Sequence, residues 1–335
     1  DGWPDAVESY QVQRDDLHAG RVPRPSNGGV TVADCCNEFL ANRLDLVSSG
    51  ELTERSFADY KATALRVARV LGRNRVASNL SGTDFGILRA DIANTRGPAS
   101  LKNEIVRVRC IFNFAYKHEL IDSPIRYGAG FDPPKRKVVR KAFTSKGLRM
   151  FEANELRCII EACGIHLKAM VLLSANSGMG NHDIGCIPIS AANFDTGWVD
   201  FPREKTGTPR RFPMWPETIS AIKESLLKRR SPQPGHEPFL FITRKGEGWA
   251  KSSTGGTLSR EFKKVLDSTG IYRDGLGFYC LRRGFQTIGE EAGETATRYI
   301  MGHVNDSMSA TYRQRISNER LKAVTDHVHS WLYAD

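Results

Sequence analysis

The run Asp132-Pro133-Pro134-Lys135-Arg136-Lys137 constrains this chain more than any other stretch. Paired prolines lack two backbone donors and push the preceding residue out of the helical region, so no helix or central strand crosses them. Before the run, apolar residues recur at helical spacing; beyond it the pattern is mixed. A chain of 335 residues also exceeds one ordinary domain. We therefore divide it into an extension over 1–29, ending in Pro23, Pro25, Gly28 and Gly29, a helical domain over 30–130, a basic interdomain linker over 131–150 and a larger domain over 151–335.

Thr31 opens the first amphipathic stretch, with Val32, Cys36, Phe39 and Leu40 on one face. Thr53 opens the second, whose apolar set is Phe57, Tyr60, Leu65, Val67, Val70 and Leu71. Further helices are expected over 83–93 and 100–118, and four helices with short loops make a small bundle. In the second domain the spacing predicts helices over 152–163, 166–177, 216–229, 257–268, 278–293, 295–301, 307–315 and 318–332. Strands over 198–201 and 211–214 flank Lys205-Thr206-Gly207-Thr208-Pro209, a hairpin signal, and 238–242 reads as another short strand. The fold class is thus mainly α with a small β-sheet. The last helix carries Leu321, Val324, Val328 and Leu332 at helical spacing, a face for its own domain or for a neighbouring copy.

The formal net charge of +10 suits a polyanionic partner. Lys135, Arg136, Lys137, Arg140 and Lys141 read both as a solvated linker and as a strap across phosphates. Seven cysteines, odd in number and without a C-x-x-C pair, read as reduced thiols of a cytosolic protein. The histidines do not gather at zinc spacing, and adjacent His182 and Asp183 cannot share a helix face, so no metal is expected. Gly246-Glu247-Gly248-Trp249-Ala250-Lys251-Ser252 lacks the glycine directly before the lysine that a phosphate loop needs, and reads as a turn. No nucleotide or flavin cofactor, membrane span or secretory signal is expected.

The chemistry lies toward the end of the chain. Gly277-Phe278-Tyr279-Cys280-Leu281-Arg282-Arg283 is followed by Met301-Gly302-His303, and Tyr312 stands nine residues beyond that histidine. In order and interval this resembles the C-terminal signature of the tyrosine recombinase (phage integrase) family, H-x-L-R, then L-G-H, then tyrosine. The resemblance extends over about 30–325. The early helices resemble the family's four-helix, SAM-like core-binding domain, and the rest its α/β catalytic domain, the two expected to clamp duplex DNA. Lys205 matches the lysine of the family's mobile β-hairpin. The resemblance implies that Tyr312 attacks the scissile phosphate, that Arg282 clamps its oxygens, that His303 and Tyr279 donate hydrogen bonds and that Lys205 protonates the leaving 5′-oxygen. A homo-tetramer on DNA, docked through the last helix, is implied in the same way, as is a cytoplasmic, nucleoid-associated location.

Ser177-Gly178-Met179-Gly180-Asn181-His182-Asp183 resembles the family's first box, T-G-[LM]-R-x-x-E. Asp183 falls at the acidic position, but Gly180 stands where the family has its first catalytic arginine. Arginine suits that place because its planar fork pairs two phosphate oxygens and keeps its charge. Three outcomes stay open: a nearby cation substitutes, with Arg210, Arg211 and Arg283 as candidates that otherwise serve DNA binding; the enzyme is slow; or the protein binds duplex DNA without cutting it. A helical RNA-binding protein with a chance signature is a further alternative.

Overall fold

Thr31 and Thr53 cap helices as their contexts demand. The Thr31 hydroxyl accepts from the Asp34 N–H while the Asp34 carboxylate accepts from the Thr31 N–H at 2.9 Å, satisfying two donors that a helix start leaves bare. In this computed structural model, which describes residues 29–145, 147–250, 256–304 and 315–334 together with Trp3 and Val7, the chain forms two units that divide between Ser145 and Lys146. The extension over 1–29 lies almost wholly outside the described residues, as do the helix expected over 307–315 and Tyr312 within it.

The first unit is built on α1 (Val32–Ser48), α2 (Glu54–Leu71), α3 (Gly82–Thr95) and α4 (Pro98–Lys117). Phe39, Phe85, Phe112 and Phe131 are buried among Val67, Leu88, Ile92, Ile105 and Ile111. Burying each such ring stabilises the fold by roughly 1.5–3 kcal/mol. Leu65, expected in the core, is exposed instead. At 100° per residue the stripe of α2 runs through Ala64, Val67 and Leu71, and Leu65 falls off it.

The segment expected as linker, 131–150, differs in kind. Phe131 lies edge-near Phe85, with ring centroids 5.2 Å apart, and Arg109 donates to the Phe131 carbonyl and the Asp132 carboxylate. Beyond the prolines, Arg136–Thr144 is a helix, α5, with no buried residue. Nothing in Arg136-Lys137-Val138-Val139-Arg140-Lys141-Ala142 breaks a helix. The five cations from Lys135 to Lys141 are all exposed, four of them on this helix rather than along an extended strap.

The second unit holds α6 (Ala153–Ala162), α7 (Ile165–Ser177), α8 (Asn181–Cys186), α9 (Pro216–Leu227), α10 (Thr257–Ser268), α11 (Tyr279–Ile300) and α12 (Asn318–Tyr333). Its antiparallel sheet has the order β1 (Ala192–Asn193), β2 (Trp198–Asp200) and β3 (Arg211–Pro213), with Val199 opposite Phe212. The stretch 238–242 is not a strand; it makes only the isolated pairings of Phe239 with Pro188 and Ile242 with Gly248. Arg229 takes the carbonyls of Glu237 and Phe239, acceptors a ladder would need. The helices expected over 278–293 and 295–301 run together as α11, interrupted at Gly293, which is extended. On α12, Leu321, Val324, Val328 and Leu332 are buried in the unit's own core, and the Trp215 indole donates to the Thr325 carbonyl. That apolar face is therefore spent at home rather than presented to another copy.

Candidate functional site

The site begins where α7 ends. Gly178 takes a left-handed conformation, φ +66°, and a Cβ there would meet Phe285 Cδ1 at 2.7 Å, so only glycine fits both the turn and the space. The turn exposes the Gly178 carbonyl to Arg282, whose Nη1 donates to it at 2.5 Å. Arg282 Nη2 donates to the Met301 carbonyl at 2.9 Å and meets His303 Nε2 at 2.7 Å. A straight helix of 22 residues runs about 33 Å. Arg282 in the first turn nevertheless reaches Met301 just past the last, because the break at Gly293 turns the chain back. The two halves of the sequence signature are thereby joined through one guanidinium that is 3% exposed.

His303 follows Gly302, which is also left-handed at φ +65° and packs its Cα against Arg203. Burial and the charges of Arg282 and Arg203 push His303 below its ordinary 6.5 to about 4. Near pH 7 the ring is neutral, so Nε2 accepts from Arg282 and the proton is assigned to Nδ1, the nitrogen left to donate. A depressed folded value makes this ring's contribution to stability complete above 6.5 and lost as pH falls through about 4. Imidazole NMR of the DNA-free protein is expected to show a midpoint near 4 for His303. An ordinary midpoint would contradict the acceptor geometry, and a bound phosphate should move the value upward.

Gly180 opens α8 at φ −84°, and a Cβ built on it meets only the Tyr279 ring, at 3.7 Å. The missing arginine thus reflects the residue and not a closed backbone. Asp183 Oδ2 accepts from the Gly180 N–H at 3.4 Å and from Arg210 Nη1 at 3.1 Å. Arg210 is 2% exposed; its Nε donates to the Phe201 carbonyl at 2.9 Å, and its guanidinium lies over the Phe201 ring. The expectation of a DNA-facing surface cation is therefore corrected for Arg210: it belongs to the interior of the site. Burial lowers its affinity for its proton and Asp183 restores part of it. Arg282 is likewise pulled below the usual guanidinium range by burial, then by Arg203, with Arg210 adding to the repulsion.

The hairpin brings in the remaining groups. Arg203 pairs with Thr208, and Glu204, Lys205, Thr206 and Gly207 form the tip. Arg203 Nη1 and the Thr206 hydroxyl both reach the Gly302 carbonyl, at 3.4 and 3.5 Å. Exposed Lys205 is thus carried beside the His303 turn. Tyr279, 50% exposed, lies over Gly180, with the Arg283 guanidinium 5.7 Å from its ring centre. Arg211 is paired with Asp200 and stacked on Trp198. Arg203 had no assigned role in the sequence; its only signal is its place directly before Glu204-Lys205.

One set of donors suits a metal among the described residues: His182, Cys186 and Glu204 bring a ring nitrogen, a sulfur and a carboxylate oxygen within 4.8 Å of one another. The sequence hid it because Glu204 stands on the hairpin. As the residues stand, His182 Nε2 and Glu204 Oε2 pair at 2.7 Å, and burial with the nearby Glu204 pushes the Cys186 thiol up to about 12. The trio acts as a tie between α8 and the hairpin.

The phage integrase family model matches residues 147–319. No curated protein sequence matches the chain. Among solved structures, a lambda integrase dimer bound to a COC′ core site aligns with a TM-score of 0.63 at 17% identity, covering 94% of this chain and 87% of that one. The Tn1549 transposon integrase, in complex with a circular intermediate DNA, aligns at 0.62 and 15% identity, covering 87% and 98%. The XerH site-specific recombinase bound to a palindromic difH substrate aligns at 0.59 and 14%, covering 75% and 73%. At these identities the likeness is one of fold.

Proposed function

The chain belongs to the phage integrase family, and from that premise we propose that it is a site-specific DNA strand transferase using Tyr312 as nucleophile. The observation that carries the proposal is the junction of Arg282 with His303 in a pocket that also holds Arg203, Arg210 and the Asp183 carboxylate. Such a pocket concentrates positive charge, and a phosphodiester is the anion that fits both the charge and the forked donors. In the step proposed, the Tyr312 phenol gives its proton to water and its oxygen forms a bond to phosphorus. The bond from phosphorus to the 5′-oxygen breaks, and Lys205 protonates that oxygen. A 3′-phosphotyrosine results, and attack by another 5′-hydroxyl reverses the step. Arg282 holds the non-bridging oxygens, His303 donates from Nδ1, and Tyr279 flanks the phosphate.

Duplex DNA is the proposed partner, with the exposed cations of α5 contributing affinity that falls steeply with salt. Exchange between two duplexes requires several copies, and we retain a homo-tetramer on DNA, formed through surfaces other than the buried face of α12. No helix among the described residues is long and apolar enough to cross a membrane. The test is a pool of nicked suicide duplexes cut from the DNA flanking the gene, mixed with the full chain. A protease-sensitive band on a denaturing gel, with a free 5′-hydroxyl on the released strand, is the expected result. A clear native-gel shift with no such band would favour the binding-only reading.

A further inference from the structure

Gly180 removes one guanidinium from the phosphate site, and the structure separates the three cations that stand close enough in sequence or space to replace it. Arg211 is engaged by the Asp200 carboxylate at 2.9 Å and by the Trp198 ring. Arg283 lies over exposed Tyr279. Arg210 alone shares an anchor with the vacated position: Asp183 Oδ2 receives both the Gly180 N–H and Arg210 Nη1. We propose that Arg210 supplies the second arginine of the phosphate clamp, reaching from β3's edge into the space that a side chain at 180 would occupy; this rests on the strand-transfer reading above.

Three observations carry it. First, Arg210 Nη2 is buried and has no hydrogen-bond partner among the described residues, while Nε and Nη1 are held by Phe201 and Asp183. A desolvated guanidinium nitrogen without an acceptor is costly, and an incoming phosphate oxygen relieves it. Second, Arg210 and Arg282 are both buried cations that Arg203 repels, and Arg210 adds to the repulsion on Arg282. Positive groups packed this closely are stabilised by an anion between them. Third, the glycine leaves room. A Cβ at 180 has only the Tyr279 ring within 4 Å, at 3.7 Å. A buried arginine and a bare backbone position are therefore two halves of one arrangement. Asp183, in this account, is a positioning residue that holds the fork and touches no substrate.

The experiment follows single-turnover adduct formation on the nicked duplex pool by four proteins: the parent, Arg210→Lys, Arg210→Leu and the double variant Gly180→Arg with Arg210→Leu. Arg210→Lys keeps the charge beside Asp183 and loses the fork. It should remain folded and form adduct about a hundredfold more slowly. Adding methylguanidine to Arg210→Leu should restore part of the rate, and Gly180→Arg in that background should restore more. A purely structural Arg210 would not be rescued by Gly180→Arg. A parental adduct with an Arg210→Lys variant that cuts at the parental rate overturns the proposal alone. Failure of the parent to form any adduct overturns the strand-transfer reading, and this proposal with it.

Discussion

Tyr312→Phe is expected to abolish the covalent protein–DNA band entirely while leaving the native-gel shift unchanged. Removing the phenolic oxygen removes the atom that bonds to phosphorus, and no geometry of the remaining site can supply it. The loss should be complete rather than partial, because the hydroxyl is a reactant. Binding should survive because the cations proposed to hold DNA, from Lys135 to Lys141 on the first unit and Arg203, Arg210 and Arg282 in the site, are untouched. Suicide-duplex gels with and without protease, beside native gels at matched salt, measure both quantities. A phenylalanine variant that still forms a protease-sensitive band would remove Tyr312 from the reaction.

Arg282→Ala is the second large effect. The side chain bonds the Gly178 and Met301 carbonyls and His303 Nε2 at once, so the substitution takes a phosphate donor and a structural tie together. Loss of one preorganised donor costs about a hundred- to a thousandfold in rate. Two buried carbonyls left without a partner each cost about 1–3 kcal/mol, offset in part by relief of repulsion from Arg203 and Arg210. The two roles separate in measurement: cleavage should fall by two to three orders of magnitude, on the order of the donor's worth, while Tm falls by a few degrees. His303 reports a third consequence. With the Arg282 charge gone, the ring should titrate above the value of about 4 it has beside that arginine, while burial and Arg203 still hold it below its ordinary range. Cleavage at the parental rate by a folded Arg282→Ala would exclude the arginine from the clamp.

Much of this site was legible because its signals are local. The signature from Tyr279 to His303 lies on one helix and the turn after it, so the family resemblance could be read along one short stretch. Thr31 and Thr53 announced their helices for the same reason: a cap acts within three residues. The burial of Arg210 was not legible, since its partners are Asp183, 27 residues away, and Phe201, 9 away, across the hairpin. Its type argued for the surface; only the fold shows a carboxylate waiting inside. Helix α8 escaped because six residues containing Gly185 carry too little periodicity to see. The helix α5 was masked by the prolines ahead of it, whose influence on the backbone ends sooner than their effect on the eye.

Arg282 donates two of its three bonds to the main chain, at Gly178 and Met301. A carbonyl is present whatever side chain its residue carries. The orientation of this guanidinium is therefore written largely in the path of the backbone, at a left-handed turn and at the end of a folded-back helix, with the His303 ring as its side-chain partner. Most substitutions around it can accumulate without turning the fork. What they cannot do is fill the turn at Gly178, where a single added carbon meets Phe285. Drift can thus erase much of the lettering around the phosphate site while the shape that aims its arginine is passed on intact.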